Sequence, residues 1–193
     1  MVEPYVLRNT ILPGDLGEIT RLHGVEYARE SGFDVTFEAY VAGSLADVFK
    51  GFDPARHRVW LAESGGRLVG VIAIIGLHDW TAQLRWYVVA REARGRGIGR
   101  RLLEEAIRFC REKCYRRVML WTVSSLARAA GLYRSVGFRV VEEVPRRQWG
   151  QDVIEQRYEL DWMEPDFSDC SQQGQHVQKH QAAFQFCTAG HRG

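Results

Sequence analysis

The sequence predicts an α/β (α+β) fold, with a mixed, mostly antiparallel central sheet flanked by helices. Three observations lead there. Apolar residues recur at helical spacing near the start, runs rich in Val and Ile follow, and helical and strand patterns then interleave to about residue 160. The 193 residues suit one domain of ordinary size. Apolar residues make up 46% of the chain and charged residues 26%, a normal globular balance.

Each element has its own signal. Tyr5 to Arg8 reads as a short strand. Pro13-Gly14-Asp15 is a turn and helix start, with Asp15 the expected cap, and Leu16, Ile19, Leu22, His23 and Glu26 then recur at helical spacing until Ser31-Gly32. Thr36 to Phe49 is a second helix expected to bury Phe37, Tyr40, Val41, Leu45, Val48 and Phe49. Val59 to Glu63, Leu68 to Leu77 and Gln83 to Val89 read as an antiparallel meander, with Gly65-Gly66 as its first turn. A glycine-rich loop opens a third helix whose apolar stripe is Leu102, Leu103, Ala106, Ile107 and Cys110. Arg117 to Thr122 is a buried strand, Ser125 to Ser135 a helix, and strands run to Glu142 and from Val153 to Leu160. The expected domain spans 1–163. The polar, glutamine-rich stretch 164–193 lacks an apolar period and is expected to have no fold of its own.

A net charge of +2 argues against a protein that coats nucleic acid. The chain opens without a cationic-then-apolar leader, and the apolar run Val69 to Leu77 is too short to span a bilayer. A cytoplasmic protein without a membrane partner is therefore expected. Cys110 and Cys114 fit as small packing residues on one helix face. His176 and His180 in the tail have a spacing that binds zinc on a helix, but nothing around them would organise a site, so no metal is expected.

The chemistry concentrates in Arg94-Gly95-Arg96-Gly97-Ile98-Gly99, placed between a strand and a helix. Glycine lets the backbone approach an anion, and the first N–H groups of a helix point at the same spot. Arg94, Arg96, Arg100 and Arg101 add positive charge. The segment is not a Walker loop, because no Gly-Lys-Ser/Thr follows. Its glycines are too closely spaced for a dinucleotide fingerprint. A turn with incidental arginines is the plain alternative.

The segment from Val89 to Leu103 resembles motif A of the GNAT superfamily of N-acetyltransferases, and Leu132-Tyr133-Arg134-Ser135-Val136-Gly137-Phe138 resembles the family's L-Y-x-x-x-G-F hallmark. The resemblance covers roughly residues 5 to 160. The stretch from His23-Gly24 through Phe37-Glu38 also resembles acetyltransferase domains fused behind MarR-type DNA-binding domains.

The resemblance implies acetyl-CoA as co-substrate and transfer of its acetyl group to a primary amine, expected to be that of a small molecule. Val88 and Val89 would offer backbone groups to the pantetheine arm. Arg94, Gly95, Arg96, Gly97, Ile98, Gly99 and Arg100 would hold the pyrophosphate through main-chain N–H groups. Tyr133 matches the tyrosine that protonates the departing thiolate, against the plain alternative of a core aromatic. Leu126 departs from the asparagine that many members carry there, and Ser124 or Ser125 would have to substitute or cap the helix. The family does not fix the base. Glu38 is the candidate, with His23, Tyr27 and Trp149 expected at the acceptor; for each the alternative is an ordinary structural residue. Competing readings are a non-catalytic acyl-CoA sensor module and a protein N-acetyltransferase. The residues do not set the oligomeric state, and a homodimer is admitted.

Overall fold

The computed structural model describes residues 4–78 and 80–162. The expected boundary at 163/164 and the whole tail, including Cys170, His176, His180, Cys187 and His191, lie outside the described residues. The elements are β1 (Val6–Arg8), α1 (Asp15–Ser31), α2 (Val35–Phe49), β2 (His57–Ser64), β3 (Arg67–His78), β4 (Thr81–Val89), α3 (Ile98–Glu112), β5 (Arg117–Val123), α4 (Ala127–Ser135), β6 (Arg139–Gln148) and β7 (Gln151–Asp161). Their order and type match the sequence reading.

The strands form one seven-stranded sheet in the order β1-β2-β3-β4-β5-β7-β6. Every pairing is antiparallel except β4 with β5. That parallel pair holds for three residue pairs only, Thr81 with Arg117, Ala82 with Val118 and Gln83 with Met119. Beyond Gln83 and Met119 the two strands pair no further. On its other side β4 carries a bulge. Val88 pairs with Val71 and Arg85 with Ala73, so Trp86 and Tyr87 both stand opposite Ile72. Trp86 takes φ 49, which a large residue adopts only when its surroundings hold it there. Its indole N–H donates to Ser44 Oγ of α2 at 2.9 Å, and the ring is buried.

Helix α3 rests its apolar stripe on the sheet, with Leu102, Leu103, Ala106 and Cys110 almost completely buried. Cys110 is thus the packing residue the sequence suggested. Two helix starts differ from expectation. Gly14 caps α1, while Asp15 is its first helical residue and binds Arg8 at 2.6 Å and the Leu12 N–H at 2.6 Å. Asp34 caps α2 by accepting from the Thr36 N–H at 2.9 Å.

The largest departure is β6. Arg146 to Gln148 was expected in a loop, yet the strand continues to Gln148 and only Trp149-Gly150 turns. β6 is an edge strand exposed along most of its length, so it shows no apolar alternation, and Pro145 is tolerated there. Ion pairs of Arg146 with Glu155 (2.5 Å), Arg147 with Asp152 (2.8 Å) and Arg157 with Glu142 (2.9 Å) cross the hairpin instead. Trp149 (φ 53) and Gly150 (φ 75) make a two-residue turn with both centres left-handed. The turn docks on the α1–α2 junction, where Trp149 O accepts the Asp34 N–H at 3.1 Å. A Cβ at Gly150 would meet Asp34 Oδ2 at 2.8 Å. Gly150→Ala should therefore lower stability by at least about 1 kcal/mol in urea denaturation, from the left-handed backbone alone.

Candidate functional site

Where β4 and β5 part, a cavity of about 110 Å³ opens between them, with α1, α2, α4 and the β6–β7 turn as its other walls. Its lining is mostly aromatic. Tyr27 lies 4.5 Å from Phe37, and Trp149 lies 4.9 Å from both Phe33 and Phe37, centroid to centroid. The structure thus brings together His23, Tyr27, Trp149 and Tyr133, which the sequence singled out on separate elements.

Tyr133 is 4% exposed and packs among Tyr87, Phe138 and Tyr158 at 5.7–5.9 Å. Burial, then the neighbouring tyrosines, raises its pKa well above 10, so it stays a neutral donor. The hallmark's Phe138 folds back on the same helix end, its N–H donating to Tyr133 O at 3.1 Å. Leu126 lines the cavity, and α4 starts with no side-chain cap, so neither Ser124 nor Ser125 plays that part.

His23 is 3% exposed, and its Nδ1 lies 2.8 Å from Ile19 O. A carbonyl only accepts, so Nδ1 carries the proton and Nε2 is left as an acceptor. That Nε2 is buried with no partner. Burial lowers the His23 pKa to about 4, which keeps the ring neutral. Glu38 is not brought to the cavity. It is exposed on α2 and lies over Gly24, where a Cβ would meet its Oε2 at 2.5 Å. The lining carboxylate is instead Glu155, engaged by Arg146 at 2.5 Å. The lining also includes Arg85, which the sequence reading passed over because nothing in a strand's alternation marks which residue faces a gap between strands.

The glycine loop sits beside this cavity. Gly97 (φ 78) caps α3 without any side-chain hydrogen bond, and the first bond into the helix is Arg101 N–H to Gly97 O at 3.0 Å. The N–H groups of Ile98, Gly99 and Arg100 belong to that first turn and have no carbonyl one turn back to meet. A Cβ at Gly95 or Gly97 would meet nothing within 4 Å. Gly97 supplies the left-handed backbone at the helix start, and the space beside it is open. Gly99 differs, since a Cβ there would meet the Tyr87 hydroxyl at 2.6 Å.

The arginines need correction. Arg94 does not offer its charge to the loop mouth. Its guanidinium binds Glu26 at 3.2 Å, Glu30, and Val89 O at 2.8 Å, and its own N–H goes to Arg91 O at 3.3 Å. Arg96 reaches Ser64 Oγ at 3.3 Å, and Arg101 pairs with Glu105 at 2.7 Å. Arg100 remains exposed at the third helical position. In β4, Ala90 N–H donates to Val69 O at 2.8 Å, so alternation turns the peptide groups of Val88 to β3 and those of Val89 to the open side. Val89 rather than Val88 has main-chain groups facing the gap.

Glu26 was readable only as a helix-face residue. At 2% exposed it accepts from Arg91 N–H at 2.9 Å and from Arg94, tying the loop to α1. Glu26→Ala would leave Arg94 with Glu30 and Val89 O but take the partner from the Arg91 amide, and should lower stability by about 1–3 kcal/mol in urea denaturation. His23 gives a pH signature. Its pKa is lower folded than unfolded, so protonation favours the unfolded chain and stability falls as pH drops from 6.5 to about 4. That loss amounts to roughly 3 kcal/mol and should be missing from the pH dependence of His23→Leu.

Comparison with known proteins agrees with the two motifs. The Acetyltransferase (GNAT) family model matches residues 23–138. The rat protein N-acetyltransferase family 8 member 2 is 33% identical over 116 residues, which are 55% of this chain and 51% of that one. The chain thus spans about half the length of that curated relative. A GNAT-family acetyltransferase structure from Staphylococcus aureus superposes with a TM-score of 0.65 at 18% identity, covering 82% of this chain and 99% of that one. A Salmonella typhimurium acetyltransferase, solved with its cofactor acetyl-CoA, gives a TM-score of 0.62 at 19% identity, covering 84% and 96%. Among the described residues, no helix is long and apolar enough to cross a membrane. With the strands parted beside a buried tyrosine, the glycine loop at the start of α3, and a family model matched over residues 23–138, the chain belongs to the GNAT family of acetyltransferases.

Proposed function

We propose that this protein transfers the acetyl group of acetyl-CoA to a primary amine of a small molecule. The observation that carries this reading is an uncapped helix start whose Gly99 sits against Tyr87, which together with the buried neutral phenol of Tyr133 lines an aromatic cavity. The N–H groups of Ile98, Gly99 and Arg100, with those of the glycine loop, suit a pyrophosphate. Val89 suits the pantetheine arm. Acetyl-CoA supplies an activated thioester: the amine nitrogen bonds to its carbonyl carbon, the C–S bond breaks, and CoA leaves as a thiol. Tyr133 gives its proton to the departing sulfur and is reprotonated from solvent.

The amine must attack as the free base. Glu155 is engaged by Arg146, Glu38 lies outside the lining, and neutral His23 is too weak a base to strip an ammonium, though its Nε2 can accept an N–H. Water therefore takes the amine's proton. The cavity's small volume and aromatic walls support a small acceptor over a protein N-terminus or lysine.

Three outcomes test this. Tyr133→Phe should lower kcat about 10²- to 10⁴-fold with little change in acetyl-CoA binding; unchanged turnover would remove the tyrosine from the mechanism. The logarithm of kcat/KM should climb with pH at unit slope up to the amine's own pKa, because the free-base fraction grows tenfold per unit. A plateau near the pKa of a carboxylate or histidine would instead show a protein base. Gly97→Val should weaken acetyl-CoA binding about tenfold in calorimetry, since holding a left-handed backbone costs a side chain about 1–2 kcal/mol.

A further inference from the structure

The cavity's charges do not cancel. Two ionised side chains line it, Arg85 and Glu155. Glu155 is held by Arg146 at 2.5 Å, and its side chain is only 18% exposed. Arg85 is half-buried on β4, and its guanidinium stands 5.2 Å from the Trp86 ring. Among the described residues no carboxylate lies within ion-pairing distance of it. Of the other lining groups, His23 is neutral because burial lowers its pKa to about 4, and burial raises the pKa of Tyr27 to about 12 and pushes those of Tyr87 and Tyr133 up as well. The lining thus presents one uncompensated cation, one buried acceptor without a donor at His23 Nε2, and a broad aromatic surface.

A simple cationic amine suits this poorly, because the field of Arg85 opposes its approach. A molecule that carries its own carboxylate answers both demands. We infer that the acceptor is a free amino acid with a large apolar or aromatic side chain, its carboxylate on Arg85, its amine toward His23 Nε2 and Tyr133, and its side chain among Tyr27, Phe37 and Trp149. This assignment rests on the acetyl-transfer reading above and names the substrate class of that cavity. An arginine fork matches a carboxylate in shape as well as charge, and partial burial among aromatic rings strengthens the pair. A neutral Nε2 accepts an N–H without adding charge, so the free-base amine the reaction needs is the form it suits. The Trp149 turn, fastened to Asp34, lines the cavity against Phe37 and would pack on that side chain.

The test compares three acceptors that share a ring and an amine: phenylalanine, phenylalaninamide and 2-phenylethylamine. Thiol release is followed with the full chain at saturating acetyl-CoA, and kcat/KM is corrected to the free-base fraction of each amine. Phenylalanine should exceed both others by about ten- to a hundredfold, the size of a charge-assisted hydrogen bond. Arg85→Met should collapse that ratio toward one, and Arg85→Lys should keep part of it. Arg85→Gln replaces Arg85→Met if the latter fails to fold, as judged by acetyl-CoA binding. Equal or reversed ratios in the unaltered chain, or a ratio that survives loss of the charge, would overturn the assignment. If no amine in a wide panel is acetylated although acetyl-CoA binds, the transfer reading fails instead. The carboxylate site is then judged by calorimetry: binding of phenylalanine that Arg85→Met abolishes upholds it, and absence of binding rejects it.

Discussion

The cleft exists because two parallel strands stop exchanging hydrogen bonds after Gln83 and Met119. A sheet normally satisfies its peptide groups strand to strand, so an internal parting leaves main-chain donors and acceptors that need other partners. The fold keeps the parting open from both sides. The bulge at Trp86 re-aims β4, and the indole is pinned to Ser44 on α2. On the other side β5 continues its ladder with β7 through Val123. Neither strand can close the gap without breaking contacts that are already made.

What borders the gap follows from that geometry. The chain leaving β4 passes through a short turn and enters α3 at an uncapped Gly97, close to Val89, whose N–H faces the open side while its carbonyl accepts from Arg94. The loop could drift, having few apolar contacts of its own, but Glu26 and Glu30 of α1 hold Arg94, and Glu26 also holds the Arg91 amide. A buried carboxylate is costly unless it is paired and hydrogen-bonded, and here it is both. The arginine that looks in the sequence like a phosphate ligand thus works as the brace that holds the amides in place.

At the opposite end, neutrality matters more than charge. Tyr133, Tyr27 and His23 are all shifted toward their uncharged forms by burial. On the proposed mechanism, which delivers one proton to a departing sulfur and takes an amine as its free base, walls that do not ionise are an advantage. Glu155 is tied into the β6–β7 hairpin, which leaves Arg85 to set the sign of the cavity.

The sequence alone determined the element order and the sheet's helix-flanked character, and it singled out the glycine loop before α3 and Tyr133, because each leaves a local trace: a hydrophobic period, a glycine spacing, or a residue at a fixed offset in a motif. Strand ends were less legible, since the exposed β6 is held by charged partners on β7 rather than by an apolar alternation of its own. Which residues face the cavity was decided only by tertiary structure. Glu38 and Glu26 are both acids on the first two helices, yet one lies exposed over Gly24 and the other is buried under the loop. Arg94 and Arg85 exchange their expected importance for the same reason: a charge's role depends on which opposite charges stand within a few ångströms, and residues brought together from α1, β4 and β7 carry no record of that proximity in their spacing.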